Sequence, residues 1–316
     1  MNQDFNRIFS RKNTLLLLLQ LSPYFIKHFI FQPYKNNRAK PKAFSLSKQH
    51  RKRFHTALID SVLNIALAGY EEITGNKIIN ATGKMLHCLM ELTKQFDEFI
   101  DNHRGTNDSL KLPDVVSIPE IQDQVKLFRD YLKSYGHEDE IIEYIRNLFG
   151  IHYEHYIGLL NDDVSSKSFA NTLEICKLDG GNSLAYSMEI VRLFNNHPPI
   201  KKMQEEFFLL GTAGKFVDDI GDIFSDIKRN HLNLFCSLVN DNPAEKDILY
   251  KAVNDNVKIN FSWLDQHCHS TFVEYIRKME SFNSRITSKK LRLVFELSVL
   301  PAMWGIHLDS EHIAAG

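Results

Sequence analysis

The stretch Asp218-Asp219-Ile220-Gly221-Asp222-Ile223-Phe224-Ser225-Asp226 sets carboxylates at 218, 222 and 226. A spacing of four stacks side chains one above another on a single helix face. Like charges so spaced destabilise a helix by roughly 0.2–0.5 kcal/mol per pair, so something must offset the repulsion. Phe216 and Val217 precede the row, and Leu232, Leu234 and Phe235 follow it. The segment therefore reads as a partly buried helix rather than a solvated charge run. A hard divalent cation held by oxygen ligands answers the repulsion most simply.

Outward from this row the chain keeps a helical period. Apolar residues recur at three and four in Leu58, Val62, Ile65, Ala66 and Tyr70, then in Met85, Leu86, Leu89, Met90, Leu92, Phe96, Phe99 and Ile100. Further helical patterns cover 119–135, 138–160, 168–178, 183–195, 201–229, 243–279 and 288–306. Gly136, Asp162-Asp163, Gly180-Gly181, Pro198-Pro199 and Asn240–Pro243 punctuate them. No strand alternation lasts long enough to build a sheet. The pattern predicts an all-α protein, a single-domain bundle of about ten helices around one elongated core. Residues 1–45 are assigned to an N-terminal apolar helix and a basic linker, and 46–316 to the helical domain.

Composition narrows the function. With a net charge of −1 over 316 residues, the chain lacks the basic footprint of a protein that neutralises many phosphates along a nucleic acid. Cys88, Cys176, Cys236 and Cys268 are far apart, so neither a zinc site nor a disulfide framework is suggested, and a reducing, cytoplasmic setting fits. The apolar stretch at 14–31 is interrupted by Gln20, Ser22, Pro23, Lys27 and His28, which makes it a poor bilayer span. It reads as a helix packed on the domain. Peripheral membrane contact and a targeting segment are its alternatives.

Three other segments carry chemistry. Phe96-Asp97-Glu98-Phe99-Ile100-Asp101 again spaces two acids four apart. If its helix faces the first row, the two sets of carboxylates converge and hold Mg²⁺ ions that also bind substrate phosphates. Lys177-Leu178-Asp179-Gly180-Gly181 sets two glycines inside a helical pattern, where each costs about 1 kcal/mol. That predicts either a break whose backbone faces a cavity, with Lys177 meeting an anion and Asp179 orienting it, or a plain loop between two helices. Lys228 and Arg229 follow the acid row one turn on. They suit a diphosphate or, equally, the negative end of a helix dipole.

Taken in order, these segments resemble the class I terpene synthase family of the isoprenoid synthase superfamily. Phe96 to Asp101 stands for its first acidic motif. Asp218, Asp222 and Asp226 stand at the metal-binding positions of its second, and Asn233-Leu234-Phe235 is similar to the Asn-Leu-Val that follows. The resemblance implies a helical bundle around a central cavity and a cluster of three Mg²⁺ ions held by Asp97, Asp101, Asp218, Asp222 and Asp226. It assigns the diphosphate to Lys177, Lys228, Arg229 and His312. It gives catalytic roles to Asp97, Lys177, Asp179 and the carbonyl of Gly180. Homodimers are frequent in folds of this type.

The activity so implied is cyclisation of a linear prenyl diphosphate with release of diphosphate. The all-Asp second motif is closer to trans-prenyl diphosphate synthases and to squalene and phytoene synthases, which keeps a prenyltransferase as the alternative. Against elongation, no Gly-Gly-Lys-Arg-type basic motif precedes Asp97 to hold a second diphosphate, and Gly214-Lys215 replaces the Phe-Gln those enzymes carry. A non-catalytic helical scaffold is the third reading.

Overall fold

The computed structural model describes residues 62–103, 118–147 and 168–304. Every regular element among them is helical. Residues 62–74 and 138–147 are helical. The remaining elements are α1 (Thr82–His103), a 3₁₀ turn (Pro119–Ile121), α2 (Gln122–Lys133), α3 (Phe169–Cys176), a π-helical segment (Lys177–Asn182), α4 (Ser183–Phe194) and α5 (Lys201–Arg229). After them come α6 (Leu234–Val239), α7 (Pro243–Asn254), α8 (Phe261–His267), α9 (His269–Asn283) and α10 (Lys289–Trp304). Among the described residues no helix is long and apolar enough to cross a membrane. The apolar stretch at 14–31 and the boundary at 45/46 lie outside them.

The 29-residue α5 organises the rest. Its Met203, Phe207, Leu210, Ala213, Val217 and Ile220 recur at three and four and are buried. Each large apolar side chain so buried contributes about 1.5–3 kcal/mol. The π segment, α4, α6, α9 and α10 all pack on α5, and the buried residues from Ile65 to Val299 form one continuous core. Phe216 anchors the middle of it. Its ring lies 5.0 Å from that of Tyr275, whose hydroxyl donates to the Phe216 carbonyl at 2.8 Å. Phe216 is thus core packing.

Side-chain oxygens start several helices. Ser168 caps α3, Asn233 caps α6, Asn242 caps α7 and Asn260 caps α8 by accepting from backbone N–H groups of the first turn. At the other end of α5, Asn230 takes a left-handed conformation with φ 55° and closes the helix just after Lys228 and Arg229. The run at 243–279, which reads as one helix from its apolar spacing, is three. Asn256 at φ 53° closes α7, Asn260 opens α8, and Cys268 separates α8 from α9.

The double glycine differs from expectation in a more consequential way. Helix runs without interruption from α3 through the π segment into α4. What the glycines provide is close approach to α5. A Cβ on Gly181 would lie 2.5 Å from the Thr212 hydroxyl and 2.7 Å from Phe208, and one on Gly180 would lie 2.6 Å from the Gly211 carbonyl oxygen. Single-turn π segments are frequent at functional sites, and this one brings Asp179 against α5.

Candidate functional site

The four acids of the α5 segment do not behave as one row. Asp218 is exposed and Asp222 partly buried, one turn apart on the same face. Asp219, about 100° further round the helix than Asp218, is buried at 3% exposure. Its Oδ2 accepts from the Leu234 backbone N–H at 2.6 Å, at the start of α6. Burial pushes the Asp219 carboxyl up to about 8, with Lys215 pulling the other way. Asp226 is drawn toward the same loop: its Oδ2 accepts from Asn233 Nδ2 at 2.8 Å, and its Oδ1 stands 3.9 Å from His231 Nδ1. Burial pushes Asp226 up to about 6, against the Asn233 hydrogen bond.

Asn233 is therefore a clamp. Its Oδ1 caps α6 by accepting from Phe235 N and Cys236 N, while its Nδ2 donates to the Asp219 carbonyl at 2.6 Å and to Asp226. One amide side chain thus satisfies the N-terminus of α6 and fixes that helix to the acid segment.

Lys215 stands at the first acid. Its Nζ lies 2.7 Å from Asp218 Oδ2, 3.4 Å from Asp179 Oδ2 and 3.7 Å from Asp219 Oδ1. Burial works against the ammonium, yet Asp218, Asp179 and Asp219 outweigh it and hold its pKa well above the usual lysine range. Reading the sequence for motifs misses both Lys215 and Asn233 as site residues. The signal for Lys215 was available: it sits three before Asp218 and four before Asp219, the two spacings at which helix side chains meet.

The other predicted residues fall as follows. Asp179 joins the site through Lys215. Lys177 pairs with Glu174 Oε1 at 2.6 Å. The Gly180 carbonyl accepts from Ser183 N and abuts Gly211, so it faces α5 rather than a cavity opened by a helix break. Lys228 donates to Asn256 Oδ1 at 2.8 Å and lies 4.2 Å over the Phe224 ring. Arg229 is the exposed last residue of α5. Asp97 and Asp101 lie on α1, with side chains outside the described residues, as is all of His312.

Among the described residues, no three His, Cys, Asp or Glu side chains gather around one point to hold a metal by themselves. Mg²⁺ does not require that. It takes one or two carboxylates and completes its octahedron with water and phosphate oxygens. Asp218 and Asp222 are such a pair, made of hard oxygen donors only, and the position beside Asp218 already accepts a cation in the Lys215 ammonium. The donor set fits Mg²⁺.

No family model matches the chain, and no curated protein matches it. Several solved structures do. A polyprenyl synthase from Roseobacter denitrificans has a TM-score of 0.48 at 10% identity, covering 94% of this chain and 99% of its own. A geranylgeranyl pyrophosphate synthetase from the archaeon Geoglobus acetivorans has a TM-score of 0.46 at 15% identity, covering 94% and 96%. An Arabidopsis medium/long-chain length prenyl pyrophosphate synthase has a TM-score of 0.41 at 11% identity, covering 92% and 97%. All three are prenyl synthases by name.

Proposed function

We propose that this protein is a Mg²⁺-dependent enzyme that ionises an allylic prenyl diphosphate, releasing diphosphate, and joins the prenyl carbon to isopentenyl diphosphate, which then gives up a proton. One observation carries the reading. Asp218 and Asp222 share an outward face, while Asp226 is committed to Asn233 and Asp219 to Leu234. Two carboxylates on one face within an all-Asp motif suit a chain-elongating synthase better than a cyclase that draws on three acids.

When bound, Mg²⁺ supplies Lewis-acid stabilisation to the departing diphosphate. The chain's own part is to hold and to position. Asp218 and Asp222 hold the metal, with Asp97 and Asp101 of α1 as the second acidic set. Asn233 fixes the end of α5 against α6, so that the acid segment stays rigid while charge moves past it. Asp179 and Lys215 set the charge at the head of the row. Lys228 and Arg229 face the diphosphate only after Lys228 gives up Asn256.

Cyclisation is the second reading, favoured by Gly214-Lys215 in place of Phe-Gln and by the lack of a Gly-Gly-Lys-Arg-type motif before Asp97. One assay separates the two. The protein is incubated with Mg²⁺ and C10, C15 or C20 allylic diphosphates, with and without isopentenyl diphosphate. Transfer predicts longer diphosphates only when isopentenyl diphosphate is added. Hexane-soluble product without it would replace transfer by cyclisation, and no turnover of any substrate would sink both.

A further inference from the structure

We propose that Lys215 is a resident counter-cation of the acid row: it holds Asp218 while no metal is bound and yields that carboxylate, falling back on Asp179 and Asp219, when Mg²⁺ arrives with a diphosphate. The proposal rests on the reading of Asp218 and Asp222 as metal-holding carboxylates.

The geometry supplies both seats. Lys215 makes its shortest contact, 2.7 Å, with Asp218, and has Asp179 at 3.4 Å and Asp219 at 3.7 Å in reserve. An ammonium carries three donors on a flexible four-carbon stem, so it can tighten on two partners as it releases a third. The reserve acids are on different elements, Asp179 on the π segment and Asp219 on α5 itself. The close approach of Gly180 and Gly211 keeps those two elements in contact beside Lys215. Lys215 is only 27% exposed, so releasing Asp218 without a second seat would strand a desolvated charge.

A functional consequence follows. A fixed positive charge beside Asp218 repels a bare divalent ion. A metal accompanied by diphosphate brings negative charge that offsets Lys215. Metal loading is thereby tied to the presence of substrate, and a neutral residue at 215 would lose that link.

The test titrates Mn²⁺ into the full chain and reads free Mn²⁺ by electron paramagnetic resonance, with and without inorganic diphosphate. Wild type is compared with K215Q, K215R, D179N, D222A and the K215Q/D179N double variant, each first melted without metal to show that it is folded. K215Q is expected to bind Mn²⁺ alone about tenfold more tightly than wild type, and diphosphate should narrow the gap. K215R, which keeps the charge, should stay close to wild type. D179N, which removes a reserve seat, should weaken binding, and should have no further effect once Lys215 is gone. Unchanged or weaker binding by K215Q overturns the proposal, as does a D179N loss that persists in the K215Q background. Should K215Q not fold, D179N and K215R decide: wild-type affinity in D179N, or a marked tightening in K215R, overturns it. D222A keeps the two levels apart. If D222A leaves Mn²⁺ binding unchanged, the metal row itself falls and Lys215 with it. If D222A abolishes binding while K215Q does not tighten it, the row stands and the role of Lys215 falls.

Discussion

Substituting alanine for glycine at two points on α5 should have opposite effects, and the difference measures how closely the π segment is pressed onto that helix. In a helix interior, alanine is favoured over glycine by about 1 kcal/mol. At Gly221 a new Cβ meets nothing within 4 Å, so G221A should show most of that gain. At Gly211 the Cβ would overlap the Gly180 carbonyl oxygen and lie 2.8 Å from its carbon and 3.0 Å from Leu184 Cβ. Carbon atoms pack comfortably at about 3.5–4.0 Å, so the π segment and the start of α4 would have to retreat by roughly 0.5–1 Å. Overpacking of that kind costs about 1–3 kcal/mol, and a backbone carbonyl cannot rotate away as a side chain can. Both glycines lie inside α5, so the propensity gain is common to the two variants, and G211A is expected to be less stable than G221A by about 1–3 kcal/mol. Urea unfolding followed by circular dichroism, with the same m-value for both variants, reads the difference directly. A G211A protein as stable as G221A would refute the close contact and, with it, the account of why Gly180-Gly181 interrupts no helix.

Three further outcomes are expected. Asp226 has a folded-state pKa of about 6 against about 3.9 unfolded, so the folded protein takes up this proton first. Its contribution to stability is present below pH 4 and is lost as pH rises to 6, at about 1.4 kcal/mol per pH unit at most. D226N should flatten unfolding free energy across that window, and an unchanged slope would show that Asp226 does not titrate there. N233A removes the α6 cap and two donated hydrogen bonds, and should cost about 2–4 kcal/mol in thermal unfolding; a loss below 1 kcal/mol would mean that the clamp is idle. D222A should lower turnover of an allylic diphosphate by at least about 100-fold, with melting temperature without metal nearly unchanged, whereas equal losses of both would make Asp222 a structural residue.

Much of the architecture is legible in the sequence because α5 announces itself. Its apolar period, the Pro198-Pro199 break before it and the basic last turn at Lys228 and Arg229 give bounds that agree with Lys201–Arg229. The run at 243–279 is less readable because apolar spacing continues across Asn256, Asn260 and Cys268, and only the caps reveal the joints. The Gly180-Gly181 pair misleads for a related reason. Propensity treats glycine as a helix breaker, whereas its value here is the missing Cβ opposite Gly211, which depends on a partner thirty-one residues away. The same holds at the candidate site. The spacing of Asp218, Asp222 and Asp226 is written in the chain, but the division between an outward pair and a clamped third acid depends on Asn233, which reaches back from the next helix.

The contact between Gly180 and Gly211 also sets a rule for which lengths of α5 are workable. Lys215 follows Gly211 by four residues and Asp218 follows it by seven, so all three emerge on one side of the helix. One residue inserted between 211 and 215 would turn everything downstream by about 100° and advance it by about 1.5 Å. Lys215 would then leave Asp179 while the glycine contact stayed where it is. The stretch between Gly211 and Lys215 therefore admits substitution but neither insertion nor deletion.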